Sequence, residues 1–433
     1  MKDGEPALYP EEDQAIKCVR CGFCLDVCPT FRLTGNEAES PRGRIALIRG
    51  IGEGQLTLDL GVLNHLDTCL GCRACEPACP SGVPFGSILG SFRARTVSGD
   101  QRPPAQQMAR KALLRVLTRP KLLRGALNAA HALQYLGLEL DELPHWMGDL
   151  LGAGDGARVA LPAAKATGQR PLPPFTAAKP PRRYTVVMLT GCVMPVLFPR
   201  INEATVRVLQ WAGCDVIVPR NEGCCGGLHL HAGYREDAKE MARRLLDTLR
   251  PYRFDAFIIN SAGCGSTVKE YGELLKDDPR YQAEAEALAS KARDVMEFLD
   301  AVGIPDFPGR YDHVVAYHEA CHLVHAQRIS AAPRCLLQRI PGLKLVDLEE
   351  ADVCCGSAGV YSFLQPENAR ALLERKVANV LATGAEVLAA GNPGCLAWIG
   401  RGLRDHGCTI ELLHPVEILA SALDGEAPPA VEH

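Results

Sequence analysis

The sequence lacks a hydrophobic run long enough to cross a membrane. No stretch reaches the roughly 18 uninterrupted apolar residues that a spanning helix needs. Its N-terminus, MKDGEPALYPEEDQ, is acidic and does not have the charged-then-apolar arrangement of a signal peptide. These two absences predict a protein that stays in the cytoplasm, either free or at the inner face of the membrane as part of a complex.

An excess of charge of one sign is also missing. The chain carries 47 basic and 51 acidic side chains, and a net charge of -4 is too even to favour nucleic acid as a partner. With 47% hydrophobic and 23% charged residues, the composition excludes global disorder and a fibrous fold. A length of 433 residues predicts two or three domains, each able to bury a core.

Cysteine, by contrast, is abundant, with 19 in the chain. An odd number of cysteines in a long chain without a secretion signal argues against a disulfide framework. Reduced thiols in such numbers usually hold metal. The cysteines are therefore the first candidates for a functional site.

Eight of the cysteines form two blocks with the same spacing, C-x2-C-x2-C-x3-C-P. Two-residue gaps let one loop wrap three corners of an iron-sulfur cluster, and in two-cluster ferredoxins the fourth cysteine binds the other cluster. We therefore predict two 4Fe-4S clusters. Their ligands are Cys18, Cys21, Cys24 and Cys79 for cluster 1, and Cys69, Cys72, Cys75 and Cys28 for cluster 2. Zinc is the alternative, although a zinc site takes two pairs of ligands.

Three segments precede the C-terminal half. Residues 1–100 are predicted to form a helical ferredoxin domain, because residues 45–51 and 56–66 are apolar at helical spacing. Residues 101–151 are predicted to form a basic helical segment. Its docking surface is either anionic lipid or a protein surface, and that protein is either a partner subunit or the ferredoxin domain. Pro120 interrupts this helix and favours protein. Residues 152–183, rich in Gly, Ala and Pro, predict a linker, and the Gly-x-Gly-x-Gly at 152–156 is rejected as a dinucleotide loop because no strand precedes it.

From Tyr184 onward, short apolar runs alternate with amphipathic stretches, which indicates βαβ units on a parallel sheet. The alternation occurs twice, and corresponding cysteines in the two copies are offset by 129, 130 and 131 residues. A near-constant offset of this kind predicts a duplicated domain. We place the first repeat at residues 184–305 and the second at 306–433.

Each repeat has four cysteines where a strand turns into a helix, the place where functional groups gather in open α/β sheets. They are Cys192, Cys224, Cys225 and Cys264 in the first repeat, and Cys321, Cys354, Cys355 and Cys395 in the second. Additional metal clusters, redox-active thiol pairs and inert packing are the three alternatives, and the first is favoured. Cys214, Cys335 and Cys408 are interpreted as ordinary buried cysteines. Four histidines near these motifs, His229, His231, His318 and His322, are interpreted as packed or solvated side chains and left outside the site.

The repeated Cys…Cys-Cys-Gly…Cys pattern behind two ferredoxin motifs resembles the CCG-repeat proteins, which include the B-type subunits of heterodisulfide reductase. Closer similarity is to the iron-sulfur subunits of glycolate oxidase. It is carried by residues 18–29, SPRGR at 40–44, SAGCG at 261–265, VKEYG at 268–272 and CCGSAG at 354–359. Family repeats end in C-x2-C, whereas Ser261 and Asn392 stand at the first of these positions here, so five thiols per repeat are not available.

The resemblance implies an α+β multidomain fold, with an N-terminal α-helical two-cluster ferredoxin domain followed by two Rossmann-like α/β CCG repeats. It implies partner subunits that carry FAD, oxidise glycolate to glyoxylate and pass electrons through this chain to an acceptor, such as a membrane quinone. The sequence holds no flavin or nicotinamide fingerprint, so bond-breaking catalysis is expected on the partners and no catalytic residue is predicted here. Alternatives are a subunit of a lactate, other 2-hydroxy-acid or glycerol-3-phosphate dehydrogenase, and a thiol-disulfide reductase.

Overall fold

The structure, a computed structural model, describes residues 12–98, 102–135, 145–151 and 171–424. Most of the predicted linker, with its glycine-rich loop at 152–156, lies outside the described residues. No described helix is both long and apolar enough to span a bilayer.

The N-terminal domain is helical around its two cysteine loops. Ser40 and Asp59 start helices by accepting hydrogen bonds from the backbone N–H groups of Gly43 and Val62. Ile48, Leu66, Ile88 and other apolar residues form its core. The helices are α1 (Glu12–Ala15), α2 (Pro29–Thr34), a 3-10 turn (Glu37–Glu39), α3 (Pro41–Gly52), α4 (Leu60–Asp67) and α5 (Phe85–Ser98).

The basic segment consists of three helices that pack on the protein itself. It comprises α6 (Pro104–Leu117), α7 (Pro120–Tyr135) and α8 (His145–Leu151). The break falls where Pro120 begins α7, since proline fits the first turn of a helix but not its interior. Arg102 and Arg110 of the segment pair with Asp67 at the end of α4. The segment therefore docks on the ferredoxin domain, one of the protein surfaces that the sequence favours.

The first repeat is a five-stranded sheet in the order β1-β3-β2-β4-β5, parallel except for β1. Side chains on both faces of β2 are buried, as expected of a strand covered by helices on both sides. The elements are β1 (Phe175–Thr176), β2 (Tyr184–Leu189), α9 (Met194–Leu197), α10 (Pro199–Trp211), β3 (Cys214–Ile217), α11 (Gly227–His231), α12 (Arg235–Leu249), β4 (Ala256–Ile259), α13 (Ala262–Lys269), α14 (Tyr271–Leu274), α15 (Gln282–Lys291), β5 (Ala292–Asp294) and α16 (Val295–Val302).

The second repeat is a four-stranded parallel sheet in the matching order β7-β6-β8-β9. Its elements are β6 (Val314–His318), a π-helix (His322–Ala326), α17 (Ala331–Gln338), β7 (Lys344–Val346), α18 (Tyr361–Leu364), α19 (Pro366–Ala382), β8 (Val387–Ala390), α20 (Pro393–Asp405), β9 (Glu411–Leu413) and α21 (Pro415–Asp424).

The two repeats exchange their last helices. Helix α16, which ends the first repeat, packs on α17 of the second, and α21, which ends the second, packs on α10 of the first. One continuous hydrophobic core therefore runs through both repeats, from Val186 and Met188 in β2 to Val315 in β6. This exchange fixes how the two sheets face each other.

The predicted fold class is confirmed, with a helical N-terminal domain and two parallel α/β repeats. Two differences concern short strands. Phe175–Thr176 lies in the predicted linker but forms β1, held at the sheet edge by two antiparallel residue pairs with β3. The three-residue strand β5 was not predicted, because it is too short to show alternation.

Candidate functional site

The cluster-1 thiols (Cys18, Cys21, Cys24 and Cys79) and cluster-2 thiols (Cys69, Cys72, Cys75 and Cys28) come from two loops of the N-terminal domain. One loop runs from α1 to α2, where Cys28 occupies the N-cap position, and the other runs from α4 to α5. Cys21 is exposed, whereas Cys28, Cys69 and Cys75 are buried. The cluster-1 loop therefore reaches the surface, and the cluster-2 thiols lie deeper.

Cys28 lies beside the second loop although it belongs to the first. Burial raises the pKa of the Cys75 thiol well above its usual value, and the nearby thiols of Cys72, Cys69 and Cys28 add to the shift. Burial also raises the pKa of Cys72, again with contributions from Cys69 and Cys28. An all-sulfur donor set, in which burial disfavours the free thiolates of Cys72 and Cys75, fits an iron-sulfur cluster, whose iron takes thiolate ligands.

Arg44 joins the two loops. Its side chain is fully buried, and its guanidinium donates hydrogen bonds to Thr30 Oγ1 at 3.1 Å, Glu39 Oε2 at 2.7 Å, Thr68 Oγ1 at 2.9 Å and His65 O at 2.8 Å. Thr30 and Glu39 follow the first loop, while His65 and Thr68 precede the second. The SPRGR motif thus caps α3 and supplies the arginine that holds the loops together.

The first-repeat thiols (Cys192, Cys224, Cys225 and Cys264) follow the carboxyl ends of β2, β3 and β4. Cys192 and Cys224 have their sulfurs 3.5 Å apart. Hydrogen bonds with the Cys192 and Cys225 thiols lower the pKa of Cys224, whereas the pKa values of Cys192 and Cys225 are raised. The structure therefore brings the predicted thiols of this repeat together at one sheet edge.

The second-repeat thiols (Cys321, Cys354, Cys355 and Cys395) occupy the matching positions. The Cys321 and Cys354 sulfurs are 4.0 Å apart. Hydrogen bonds from the Cys354 and Cys395 thiols lower the pKa of Cys355. The pKa values of Cys354 and Cys395 are raised by the hydrogen bonds that these thiols make within the set and by burial.

The glycine of each Cys-Cys-Gly motif is required by the backbone. Gly226 and Gly356 have φ angles of 82° and 93°, which favour glycine. A Cβ atom at Gly356 would lie 2.6 Å from the carbonyl oxygen of Ala369, and one at Gly226 would lie 3.1 Å from that of Ala238. The motif therefore lets α12 and α19 pack directly behind the cysteine pairs.

Both repeat sets line a single cavity of about 300 Å³ between the repeats. Ser261 and Asn392, which stand where the family pattern has a further cysteine, meet across it. The Ser261 hydroxyl donates to Asn392 Oδ1 at 3.3 Å, and Asn392 Nδ2 donates to Cys395 Sγ at 3.6 Å. The two departures from the pattern thus form a polar link between repeats, which sequence reasoning treated only as missing ligands.

The N-terminal domain contacts the second repeat at its cysteines. Cys72 and Cys321 pack against the same hydrophobic core, and among the charges that raise the pKa of Cys72, that of Cys321 acts most strongly. The Tyr361 hydroxyl donates to Thr68 O at 3.0 Å, and Arg32 pairs with Glu350. The cluster-2 thiols are therefore adjacent to the second-repeat thiols.

His318 is the functional candidate that sequence reasoning left out. It ends β6, is fully buried, and its ligand atoms lie within 4.8 Å of those of Cys355 and Cys395. Burial lowers its pKa. The other three histidines do not join such a group among the described residues, and His322 instead hydrogen-bonds Ser266 Oγ at 2.8 Å.

Of the three cysteines interpreted as ordinary and buried, Cys214 is buried at the start of β3, on the edge opposite the thiols. The interpretation is wrong for the other two. Cys335 is exposed on the outer face of α17, and Cys408 is half-buried before β9. Cys335 lies on the solvent-facing side of α17, which spacing alone did not reveal, whereas Cys408 still packs partly against the core.

Comparison with known proteins matches both halves of the chain. Residues 14–83 match the family described as 4Fe-4S dicluster domain, and residues 186–269 and 315–400 each match the one described as cysteine-rich domain, CCG. The chain is 34% identical to the probable glycolate oxidase iron-sulfur subunit of Bacillus subtilis, over 95% of both chains. It is 35% identical to the glycolate oxidase iron-sulfur subunit of Escherichia coli, over 98% of both.

The chain belongs to the family of glycolate oxidase iron-sulfur subunits. A shorter relative, lactate utilization protein A of Shouchella clausii, is 35% identical and matches 54% of this chain and 98% of its own length. A solved structure of a hypothetical protein from Helicobacter pylori covers 89% of this chain with a TM-score of 0.52 at 11% identity, which shows a shared fold.

Membership of the glycolate oxidase iron-sulfur subunit family gives the motifs of this chain a common purpose. The dicluster match spans both loops of the N-terminal domain. The two cysteine-rich matches contain all of the repeat thiols. Iron-sulfur clusters are accordingly the cofactors of this chain.

Proposed function

We propose that this chain is the electron-transfer subunit of a glycolate oxidase complex, which accepts electrons from FAD-bearing partner subunits and delivers them to an acceptor. The names of the two full-length relatives support glycolate as the substrate of the complex. The observation that carries the proposal is the packing of Cys72 and Cys321 against one hydrophobic core, since it joins the ferredoxin thiols to the repeat thiols within one chain.

The residues proposed to hold the clusters are the cluster-1 and cluster-2 thiols, with the repeat thiols as sites for further clusters. Iron-sulfur clusters, when bound, supply one-electron chemistry that complements the two-electron oxidation at a flavin. Arg44 holds the two ferredoxin loops in register, and burial excludes water from Cys28, Cys69 and Cys75. Cys21, exposed beside the apolar side chain of Phe23, marks the end at which we propose electrons enter.

We further propose that the complex works in the cytoplasm and delivers electrons to a quinone at the inner face of the membrane. A second candidate substrate is lactate, because lactate utilization protein A matches 54% of this chain. The two substrates are distinguished by adding each to the purified complex. A thiol-disulfide reductase would instead reduce a disulfide with only an electron donor and no flavin subunit.

The test is Cys72→Ser in the assembled complex. We expect glycolate-dependent acceptor reduction to fall by at least about 100-fold, because removing a metal ligand costs more than the 10–100-fold typical of its supporting residues. Reduction of the flavin by glycolate should persist. Cys335→Ser is the matched control, since Cys335 is exposed on α17 and away from the four thiol sets. Acceptor turnover retained in Cys72→Ser at the Cys335→Ser level would refute the proposal.

A further inference from the structure

The two repeats are not equivalent at the end of their first strand. His318 ends β6 of the second repeat, and with the 129-residue offset of Cys192 and Cys321 its counterpart at the end of β2 is Leu189. Both side chains are buried. A leucine there only packs, whereas an imidazole brings two nitrogen atoms into the same position.

His318 is fully buried, yet neither of its ring nitrogens makes a hydrogen bond of normal geometry; its closest polar neighbours are the Cys355 thiol and the Ala351 backbone. Buried polar groups in proteins are almost always paired, because an unpaired one costs free energy on folding. Besides the Ala351 backbone, two sulfurs lie close to the ring, since the ligand atoms of His318, Cys355 and Cys395 are all within 4.8 Å of one another. Imidazole and thiolate together form a donor set that binds iron or zinc.

We propose that His318 is a nitrogen ligand of the iron-sulfur centre in the second repeat, bound together with Cys355 and Cys395. The proposal rests on the second-repeat thiols holding such a centre, but not on which 2-hydroxy acid the complex oxidises. It gives the second repeat a nitrogen ligand in place of one of its thiolates, at a position where the first repeat has only a leucine.

This asymmetry has a consequence for electron flow. A neutral imidazole in place of an anionic thiolate leaves less negative charge on the centre, and in iron-sulfur proteins histidine ligation raises the reduction potential. The second-repeat centre is then easier to reduce than an all-thiolate centre in the first repeat. Because Cys72 and Cys321 pack against the same core, the cluster-2 thiols would hold their cluster on the side of the repeat with the higher potential.

The test uses the full chain, purified anaerobically, with iron content and pulsed electron paramagnetic resonance as readouts. His318→Leu installs the residue of the first repeat, and His318→Cys replaces nitrogen with a thiolate. His325→Asn is the matched control, because His325 is also buried in the second repeat but hydrogen-bonds the Asp352 carbonyl at 3.0 Å.

The proposal predicts a nitrogen hyperfine coupling typical of a coordinated imidazole in the unmodified chain and in His325→Asn. In His318→Leu this coupling should be lost and the reduction potential of the second-repeat centre should fall to that of an all-thiolate centre. The ferredoxin-cluster signals should remain, which also shows that the N-terminal domain is folded. His318→Cys should likewise lack the coupling and show a more negative reduction potential, with the iron retained.

Three results would overturn the proposal: a nitrogen coupling that persists in His318→Leu, full iron content and unchanged spectra in that variant, or zinc in place of iron at the site. None of them depends on acceptor turnover. Failure of the proposed function would appear as unchanged turnover in Cys72→Ser, so the two failures are distinguishable.

Discussion

At the scale of single residues, Arg44 is the side chain on which the geometry of the cysteine loops depends. It is fully buried, and its ion pair with Glu39 is enclosed by the hydroxyls of Thr30 and Thr68. Removing one partner of a buried ion pair leaves the other charge without compensation, which costs about 3–5 kcal/mol. Because Thr30 and Thr68 lie next to Cys28 and Cys69, the loss of this ion pair would displace the cluster-2 thiols.

Arg44→Met is therefore expected to lower the free energy of unfolding of the N-terminal domain by about 3–5 kcal/mol. The measurement is the denaturant concentration at which cluster absorbance in the visible is lost. Arg49→Met is the control, since Arg49 lies on the same helix in an exposed pair with Glu53 that should contribute less than about 1 kcal/mol. Equal midpoints in the two variants would show that the Arg44 network does not hold the loops.

The sequence predicted the sixteen thiols of the four sets, but not His318 or the Ser261–Asn392 contact. Cysteine spacing is visible in one dimension, because metal ligands in a loop must lie close along the chain. His318 becomes a candidate only when the register of β6 turns its ring toward Cys355, and the neighbouring Tyr317 points the other way. The Ser261–Asn392 pair spans 131 residues, so only the packing of the two repeats brings it together.

At the scale of elements, the exchange of α16 and α21 ties each repeat to the other. The start of α21 carries Glu417, whose carboxylate accepts a hydrogen bond from the His414 backbone N–H at 2.8 Å and lies 3.6 Å from Arg200 on α10. Burial raises the pKa of Glu417 to about 7 from an ordinary value of 4.5. The carboxyl group that joins these two helices thus titrates near neutral pH.

This pKa makes stability depend on pH with a definite sign. The folded state binds the Glu417 proton more tightly than the unfolded state, so the contribution is complete below about pH 4.5 and is lost as pH rises through about 7. Glu417→Gln should therefore be more stable than the unmodified chain at about pH 8, by up to about 3 kcal/mol, and similar at about pH 5. The measurement is the free energy of unfolding by denaturant at the two pH values. Glu367→Gln is the control, because Glu367 is exposed. A constant difference at both values would contradict the assignment.

Helix α6 covers the cavity into which the repeat thiols face. Leu113, Leu114 and Leu117 line that cavity, and Leu114 is only 2% exposed. Its truncation leaves a void and costs about 2–5 kcal/mol at a well-packed site. The basic segment is thus a cover for the repeat thiols as well as a contact of the ferredoxin domain.

Leu114→Ala should open this cover and speed the loss of iron from the repeat thiols to a chelator in air. The control is Met108→Ala, because Met108 lies on the same helix and is 72% exposed. The measurement is the time course of iron release. If both variants release iron at the same rate as the unmodified chain, α6 does not protect the thiols.

At the scale of the whole molecule, the duplication was predictable from the sequence because cysteine offsets repeat with nearly constant length. The placement of the N-terminal domain against the repeats was not predictable from the sequence. It depends on single contacts between distant residues, such as Arg73 with Glu270 and Tyr361 with Thr68. No periodicity in the chain encodes such pairs, and the same holds for the exchanged helices.

These contacts arrange the thiol sets in sequence, from an exposed loop around Cys21, through the buried cluster-2 thiols, to the second repeat at Cys321. A chain that only stored metal would not require this order. The arrangement agrees with a subunit that takes electrons at its surface and delivers them through its interior.

The measurement that tests this account most directly compares glycolate-dependent acceptor reduction by the purified flavin subunits with and without this chain, while paramagnetic resonance follows the clusters. The account predicts that without the chain the flavin is reduced but the acceptor is not, and that with the chain the clusters become reduced as fast as the acceptor turns over. Equal acceptor reduction by the flavin subunits alone would contradict it.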